Sequence, residues 1–277
     1  MAEGRIQTGF ATINNARLYY ESAGEGQPFI MLHAGVADQR MWNNQFAYFA
    51  DSYHVVRYDY RAYGRSEPVE GEYTLLQDLE VLLDHLNIER PLILMGCSMG
   101  GGLAMNFALA HPGQVKALIM VDSGPPGLDL DVPVPEVFKE VEEAFDAGDY
   151  DRVAELETQI WFDGVGRTPD QVDQSQRSLL YEMNRNALSH EAKQLGKRLP
   201  DTQINAAEHL GELDMPVLVI VGSQDLPYMH AAADYMLANI PTALKVIIPD
   251  AAHLPNMEHP DTFQRLVEKF LDSALEA

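Results

Sequence analysis

The stretch PLILMGCSMGGGLAMNFALAH, residues Pro91 to His111, sets the reading of the whole chain. An apolar run ends abruptly in Gly96-Cys97-Ser98-Met99-Gly100 and continues as a helical pattern. In a Gly-x-Ser-x-Gly elbow the serine stands on a sharp bend between strand and helix, where the flanking glycines let neighbouring backbone approach without Cβ clashes. The amide of Met99 then lies at a helix N-terminus, aimed where an oxyanion would form and where the helix dipole favours negative charge. Five residues alone are a weak signal that a tight glycine turn also satisfies. Strand before and helix after strengthen it.

Working outward, the N-terminal side alternates apolar and polar residues from 7 to 22 around Asn14-Asn15, residues that tolerate the positive φ of a two-residue turn. This predicts a β-hairpin. Phe29-Ile30-Met31-Leu32 is a short apolar run of the kind buried on both faces of a sheet, closed by His33-Ala34-Gly35. Met41, Trp42, Phe46 and Phe49 recur at helical spacing, His54 to Tyr58 forms the next strand, and a leucine-rich helix follows Thr74 as its cap. Pro91 to Met95 and Val115 to Val121 complete an alternation of strand and helix, which implies a parallel sheet with right-handed crossovers.

That rhythm stops at Asp122-Ser123-Gly124-Pro125-Pro126. To about Pro200 the buried-strand runs vanish, and helical patterns appear near 134–147, 149–162 and 170–188. The rhythm resumes at Pro216 to Val221, with a helix near 228–239, a strand at Leu244 to Ile248 and a closing helix near 260–274. The expected organisation is a core of residues 1–124 and 201–277 interrupted by a helical cap over 125–200.

The chain has 277 residues, 46% of them hydrophobic, enough for one large core with an insertion. Nineteen Lys and Arg against 42 Asp and Glu give a net charge of -23, which repels phosphate backbones and anionic membranes. Nucleic acid and membrane are therefore not expected partners. One cysteine makes no internal disulfide, no Cys/His pattern has zinc spacing, and MAEGRIQTGF carries neither a basic nor an apolar signal region. The expectation is a soluble cytoplasmic protein without a metal.

A serine hydroxyl needs a base to take its proton, and that base needs an acid to hold its tautomer. In a parallel sheet such groups gather at the C-terminal strand ends. Asp225 follows the strand ending at Val221 and His253 follows the last strand, so both fall at that edge. Asp122, also just past a strand, is the alternative acid. Cys97 is read as packing behind the sheet. Arg61 and Arg65 form either an anion site or structural pairs. Trp161, Phe162, Tyr181 and Met183 in the cap are read as pocket walls or as packing between helices.

With Ser98, Asp225 and His253 in that order, the chain resembles the α/β-hydrolase superfamily over nearly its whole length. Ser98-Met99-Gly100-Gly101 is similar to enol-lactonases and carbon-carbon-bond hydrolases, and Asp59 to Ser66 to a turn common to esterases and epoxide hydrolases. Members with aspartate at the elbow are argued against by Ser98. The resemblance implies a mostly parallel eight-stranded sheet with an inserted cap, and a cofactor-independent hydrolase that forms an acyl-enzyme on Ser98 with His253 as base and Asp225 as acid. It places the oxyanion donors at Met99 and Gly35, with Val36 as alternative because Ala34 replaces the usual glycine, and makes His33 structural. A small-molecule ester or lactone is the expected substrate, with Trp161 and Val36 against it. Carbon-carbon-bond hydrolysis, perhydrolase-like chemistry and a receptor on the same scaffold are the other readings, and turnover of a p-nitrophenyl ester separates enzyme from receptor.

Overall fold

In the computed structural model, which describes residues 6–202 and 204–275, the hairpin expected around Asn14-Asn15 joins β1 (Gln7–Ile13) to β2 (Ala16–Ala23). Asn14 takes φ of 52°, the left-handed value that such a turn requires. β3 (Pro28–Leu32) is buried at every residue, as a strand covered on both faces must be. A single 3₁₀ turn at Gln39–Trp42 leads into α1 (Asn43–Phe49), followed by β4 (His54–Tyr58) and the two-residue β5 (Glu72–Tyr73). α2 (Leu75–His85) starts where the Thr74 hydroxyl accepts the Gln77 amide. Next come β6 (Leu92–Cys97), α3 (Met99–Ala110) and β7 (Val115–Val121).

Between β7 and the next long strand lie three helices, α4 (Val137–Asp146), α5 (Tyr150–Thr158) and α6 (Gln174–Glu191). A π-helical turn, Gln159–Asp163, extends α5. The chain returns through β8 (Lys197–Arg198), which pairs with β5 as a separate two-stranded sheet. β9 (Val217–Gly222), α7 (Pro227–Asn239), β10 (Ala243–Ile248), the short α8 (Pro255–Glu258) and α9 (Pro260–Leu275) complete it.

The main sheet has eight strands in the order β1-β2-β4-β3-β6-β7-β9-β10. Only the β1–β2 and β2–β4 pairs are antiparallel; the other five run parallel, as the strand-helix alternation implies. Successive residues of a strand face opposite sides, and β6 shows the result: Leu94 packs with Leu79, Leu83 and Phe107 of α2 and α3, while Ile93 packs with Phe46, Phe49 and Val267 of α1 and α9. The two cores hold the sheet rigid from both sides, and the C-terminal ends of β3, β6, β7, β9 and β10 open at one edge.

Candidate active site

Ser98 follows β6 with φ of 51° and ψ of -114°, a left-handed conformation that costs a non-glycine residue of order 1–3 kcal/mol. The flanking glycines make this bend possible. A Cβ on Gly96 would lie 2.2 Å from the Gly100 carbonyl oxygen, and one on Gly100 would lie 2.2 Å from the Leu32 carbonyl oxygen. The bend is held by the Ser98 amide donating to Val121 O (2.9 Å) and the Ser123 hydroxyl donating to Ser98 O (2.9 Å). Ser98 is half-buried and lines the cleft.

Asp225 and His253 meet at the same edge, both buried, with Nδ1 of His253 2.7 Å from Oδ2 of Asp225. Asp225 Oδ1 accepts the Leu226 amide at 2.7 Å. Burial pushes the Asp225 carboxyl up, but the charge and hydrogen bond of His253, a bond from Asp122 and the Leu226 amide outweigh it and hold Asp225 below the usual carboxylate range. An ionised Asp225 accepting from Nδ1–H leaves Nε2 of His253 as the basic nitrogen. The backbone of His253 is tied beside the elbow: its carbonyl accepts the Cys97 thiol at 3.6 Å, and its amide donates to Trp161 O at 3.2 Å. Nε2 and Ser98 Oγ are not hydrogen-bonded in this structure; such contacts often tighten only with substrate bound.

Asp122, the alternative acid, does not reach the ring. It makes no hydrogen bond to His253; its Oδ1 accepts the Gly222 amide at 2.9 Å, and a carboxyl oxygen lies within 4.8 Å of Asp225. Cys97 is fully buried, and burial pushes its thiol well up, which keeps it protonated and unreactive.

At the end of β3, the Ala34 amide is taken by Met41 Sδ (3.2 Å) and the Ala37 amide by Ala34 O (3.2 Å). The amides of Gly35 and Val36 make no hydrogen bond among the described residues. Gly35 faces the Met99 side chain in ordinary contact, so the loop and the start of α3 share one corner. The Met99 amide, in the first turn of α3, has no intrahelical acceptor.

Two cavities flank this corner. One, of about 550 Å³, runs between Gly35, Val36 and Tyr63 of the core and Glu157, Asn184 and Glu191 of the inserted helices. The other, of about 540 Å³, is lined by Ser98, Met99, Asn106, Pro126, Asp201 and Asn205. Arg198 borders both, its Nη1 2.8 Å from Met99 Sδ and its Nη2 3.8 Å from Asp201 Oδ2. Burial, then the charge of Glu191, pushes the Glu157 carboxyl up; burial does the same to Glu191.

The other singled-out residues are placed differently. Trp161 lies over the His253 ring, centroids 4.4 Å apart, rather than on the wall of either cavity. Phe162 and Met183 are buried in the core on the α1 and α9 side, and Tyr181 packs among the inserted helices. Arg61 borders the first cavity but is held in a buried two-point pair with Asp78 (2.6 and 2.7 Å), and Arg65 lies 3.8 Å over the Tyr19 ring, so neither forms the anion site. Arg198, Glu157 and Glu191 escape sequence reasoning. Arg198 sits in a two-residue strand with no periodicity, and the two glutamates look like solvated helix positions; the basic pair Lys197-Arg198 at the end of the insertion was the one available signal.

The fold and this edge define a class: an α/β sheet whose serine elbow, buried acid-imidazole pair and cleft meet at the C-terminal strand ends. The chain belongs to the alpha/beta hydrolase fold family, whose model matches residues 27–260, and it is an enzyme of the hydrolase class. It is 30% identical over 265 residues to a 2-hydroxy-6-oxononadienedioate/2-hydroxy-6-oxononatrienedioate hydrolase of Paraburkholderia xenovorans (strain LB400), covering 92% of this chain and 90% of that one. It is 27% identical over 240 residues to 3-oxoadipate enol-lactonase 2 of Acinetobacter baylyi, covering 82% of each. Among solved structures, the enol-lactonase from Burkholderia xenovorans LB400 superposes with a TM-score of 0.76 at 24% identity, covering 95% of this chain and 100% of that one. No helix among the described residues is long and apolar enough to cross a membrane.

Proposed function

We propose that the chain hydrolyses a small carboxylic ester or lactone through an acyl-enzyme on Ser98. Ser98 Oγ attacks the carbonyl carbon while Nε2 of His253 takes its proton, and the resulting oxyanion accepts the amides of Met99 and Gly35. The intermediate collapses, His253 returns the proton to the leaving oxygen, and a water activated by the same nitrogen then releases the acid. Asp225 holds the ring and balances its charge. The observation that carries the reading is the buried 2.7 Å pair of His253 and Asp225, fixed beside a serine held at positive φ. Residues 125–200 act in it as a cap over a core of 1–124 and 201–277. The cytoplasm is the compartment we assign, on the single cysteine.

Carbon-carbon-bond hydrolysis is the second reading, since the P. xenovorans relative is named for a dienedioate. The acids of the cavity under the inserted helices support the first: Glu157 and Glu191 stand there beside Arg61 and Arg198, and Arg61 is already neutralised by Asp78, so a second carboxylate meets two acids and one loosely paired cation. The test is Ser98→Ala against p-nitrophenyl esters of graded chain length. Turnover should fall by at least about 10³-fold with the melting temperature unchanged, and a fluorophosphonate probe should label only the parent. Equal labelling of Ser98→Ala sinks the proposal.

A further inference from the structure

Asp122 is the residue next after β7, held at φ of 40° and fully buried. Its Oδ1 accepts the Gly222 amide, whereas its buried Oδ2 faces no amide or hydroxyl donor. A carboxylate oxygen left so is costly, and water does not reach it. The neighbour is Asp225: oxygens of the two carboxyls and a ring nitrogen of His253 all lie within 4.8 Å of one another. Both Asp225 oxygens already accept, one from His253 and one from Leu226, so Asp225 is the ionised member. Two carboxylates this close and away from solvent do not both ionise; one proton resides between them.

We infer that Asp122 is a positioning residue, a neutral carboxylic acid whose O–H donates to Asp225 and so fixes the carboxylate that orients His253. This rests on the reading of Ser98, Asp225 and His253 given above. The titratable groups facing Asp122 are Asp225 and His253 from the loops after β9 and β10, the Cys97 thiol of β6, and Glu258 of α8, which Arg167 pairs at 2.7 Å. Burial first, then the charge of Asp225, pushes the Asp122 carboxyl well above the usual range, the direction this arrangement requires.

Two substitutions of similar size should differ in outcome. Asp122→Asn keeps an N–H donor for Asp225 and a carbonyl for the Gly222 amide, so kcat should stay within about threefold of the parent. Asp122→Leu removes the donor, and kcat for p-nitrophenyl acetate should fall about 10- to 100-fold with KM little changed, the loss of one hydrogen bond to a charged group. The acid limb of its kcat/KM profile should also move to higher pH, because the undiluted Asp225 charge favours the imidazolium. A structural role alone would lower stability in Asp122→Leu without moving that limb, and would overturn the inference. Should Asp122→Leu fail to fold, difference infrared spectroscopy at pH 8 decides. A carboxylic-acid C=O band present in the parent and lost in Asp122→Asn supports the inference; its absence from the parent overturns it. Turnover surviving in Ser98→Ala would instead defeat the underlying triad, whereas an inactive Ser98→Ala beside an unimpaired Asp122→Leu defeats only the role of Asp122.

Discussion

At the end of β3, His33 has both ring nitrogens bound to backbone: Nδ1 donates to Ala34 O at 2.8 Å and Nε2 accepts the Tyr60 amide at 3.1 Å. Protonating Nε2 would break the second bond, and burial lowers this imidazole from 6.5 to about 4. Between those values the unfolded chain binds a proton that the folded protein refuses, so the stability this site contributes is complete above pH 6.5 and lost as pH falls towards 4. Asp59, raised to about 7 by burial and then by the charge of Asp38, acts with the opposite sign: its folded form keeps a proton the unfolded chain has shed, so its contribution falls as pH rises from 3.8 to 7. The two slopes largely cancel in the parent. His33→Gln, which keeps a donor and an acceptor, should unmask the Asp59 slope. The variant should gain on the parent by up to about 3 kcal/mol between pH 6.5 and pH 4, read from urea midpoints. A constant offset between the two curves would contradict this.

Where β6 turns into α3, three glycines meet different surroundings, and the junction makes a sharper prediction than any one of them. A Cβ at Gly100 would strike the β3 backbone and one at Gly96 the α3 backbone, whereas one at Gly102 would lie 3.3 Å from Cγ of Pro126 in a loop. Gly96→Ala and Gly100→Ala should each cost about 3 kcal/mol or more, or prevent folding, because backbone cannot step aside. Gly102→Ala should be neutral or gain up to about 1 kcal/mol of helix propensity, as thermal melting would show. The elements were legible where burial is two-sided or periodic: β3, β6, β7 and β9 stand out as apolar runs, Ser98 and Asp225 because they follow such runs, and His253 because it follows the last strand, β10. β5 and β8 were not, since two residues carry no period. The π turn at Gln159–Asp163 was read as a continuation of α5, because a single wide turn changes side-chain direction without changing composition. It is this turn that brings Trp161 over His253.

Taken whole, the molecule carries a net charge of -23, and the cavity under the inserted helices holds the acids Glu157 and Glu191 beside Arg61 and Arg198. Whether an anionic substrate is admitted then depends on which arginine reaches the cleft. Arg61 borders one cavity but is neutralised by its buried pair with Asp78, Arg65 lies on the Tyr19 face, and Arg185 is tied to Asp151 at the surface. Arg198 alone of these borders both cavities, against Met99 and only loosely paired with Asp201. A neutral ester should therefore be hydrolysed faster than its carboxylate analogue at low salt, by about tenfold, the effect of roughly 1.4 kcal/mol. Raising ionic strength should narrow the gap, since the diffuse part of the repulsion is screened within about 10 Å. Arg198→Gln should widen it, because the substitution removes the counter-charge at the junction and leaves the acidic walls. The comparison of kcat/KM for both substrates in the parent and Arg198→Gln, at two salt concentrations, checks each step. A carboxylate analogue preferred at low salt in both proteins would show that the acidic walls do not govern entry.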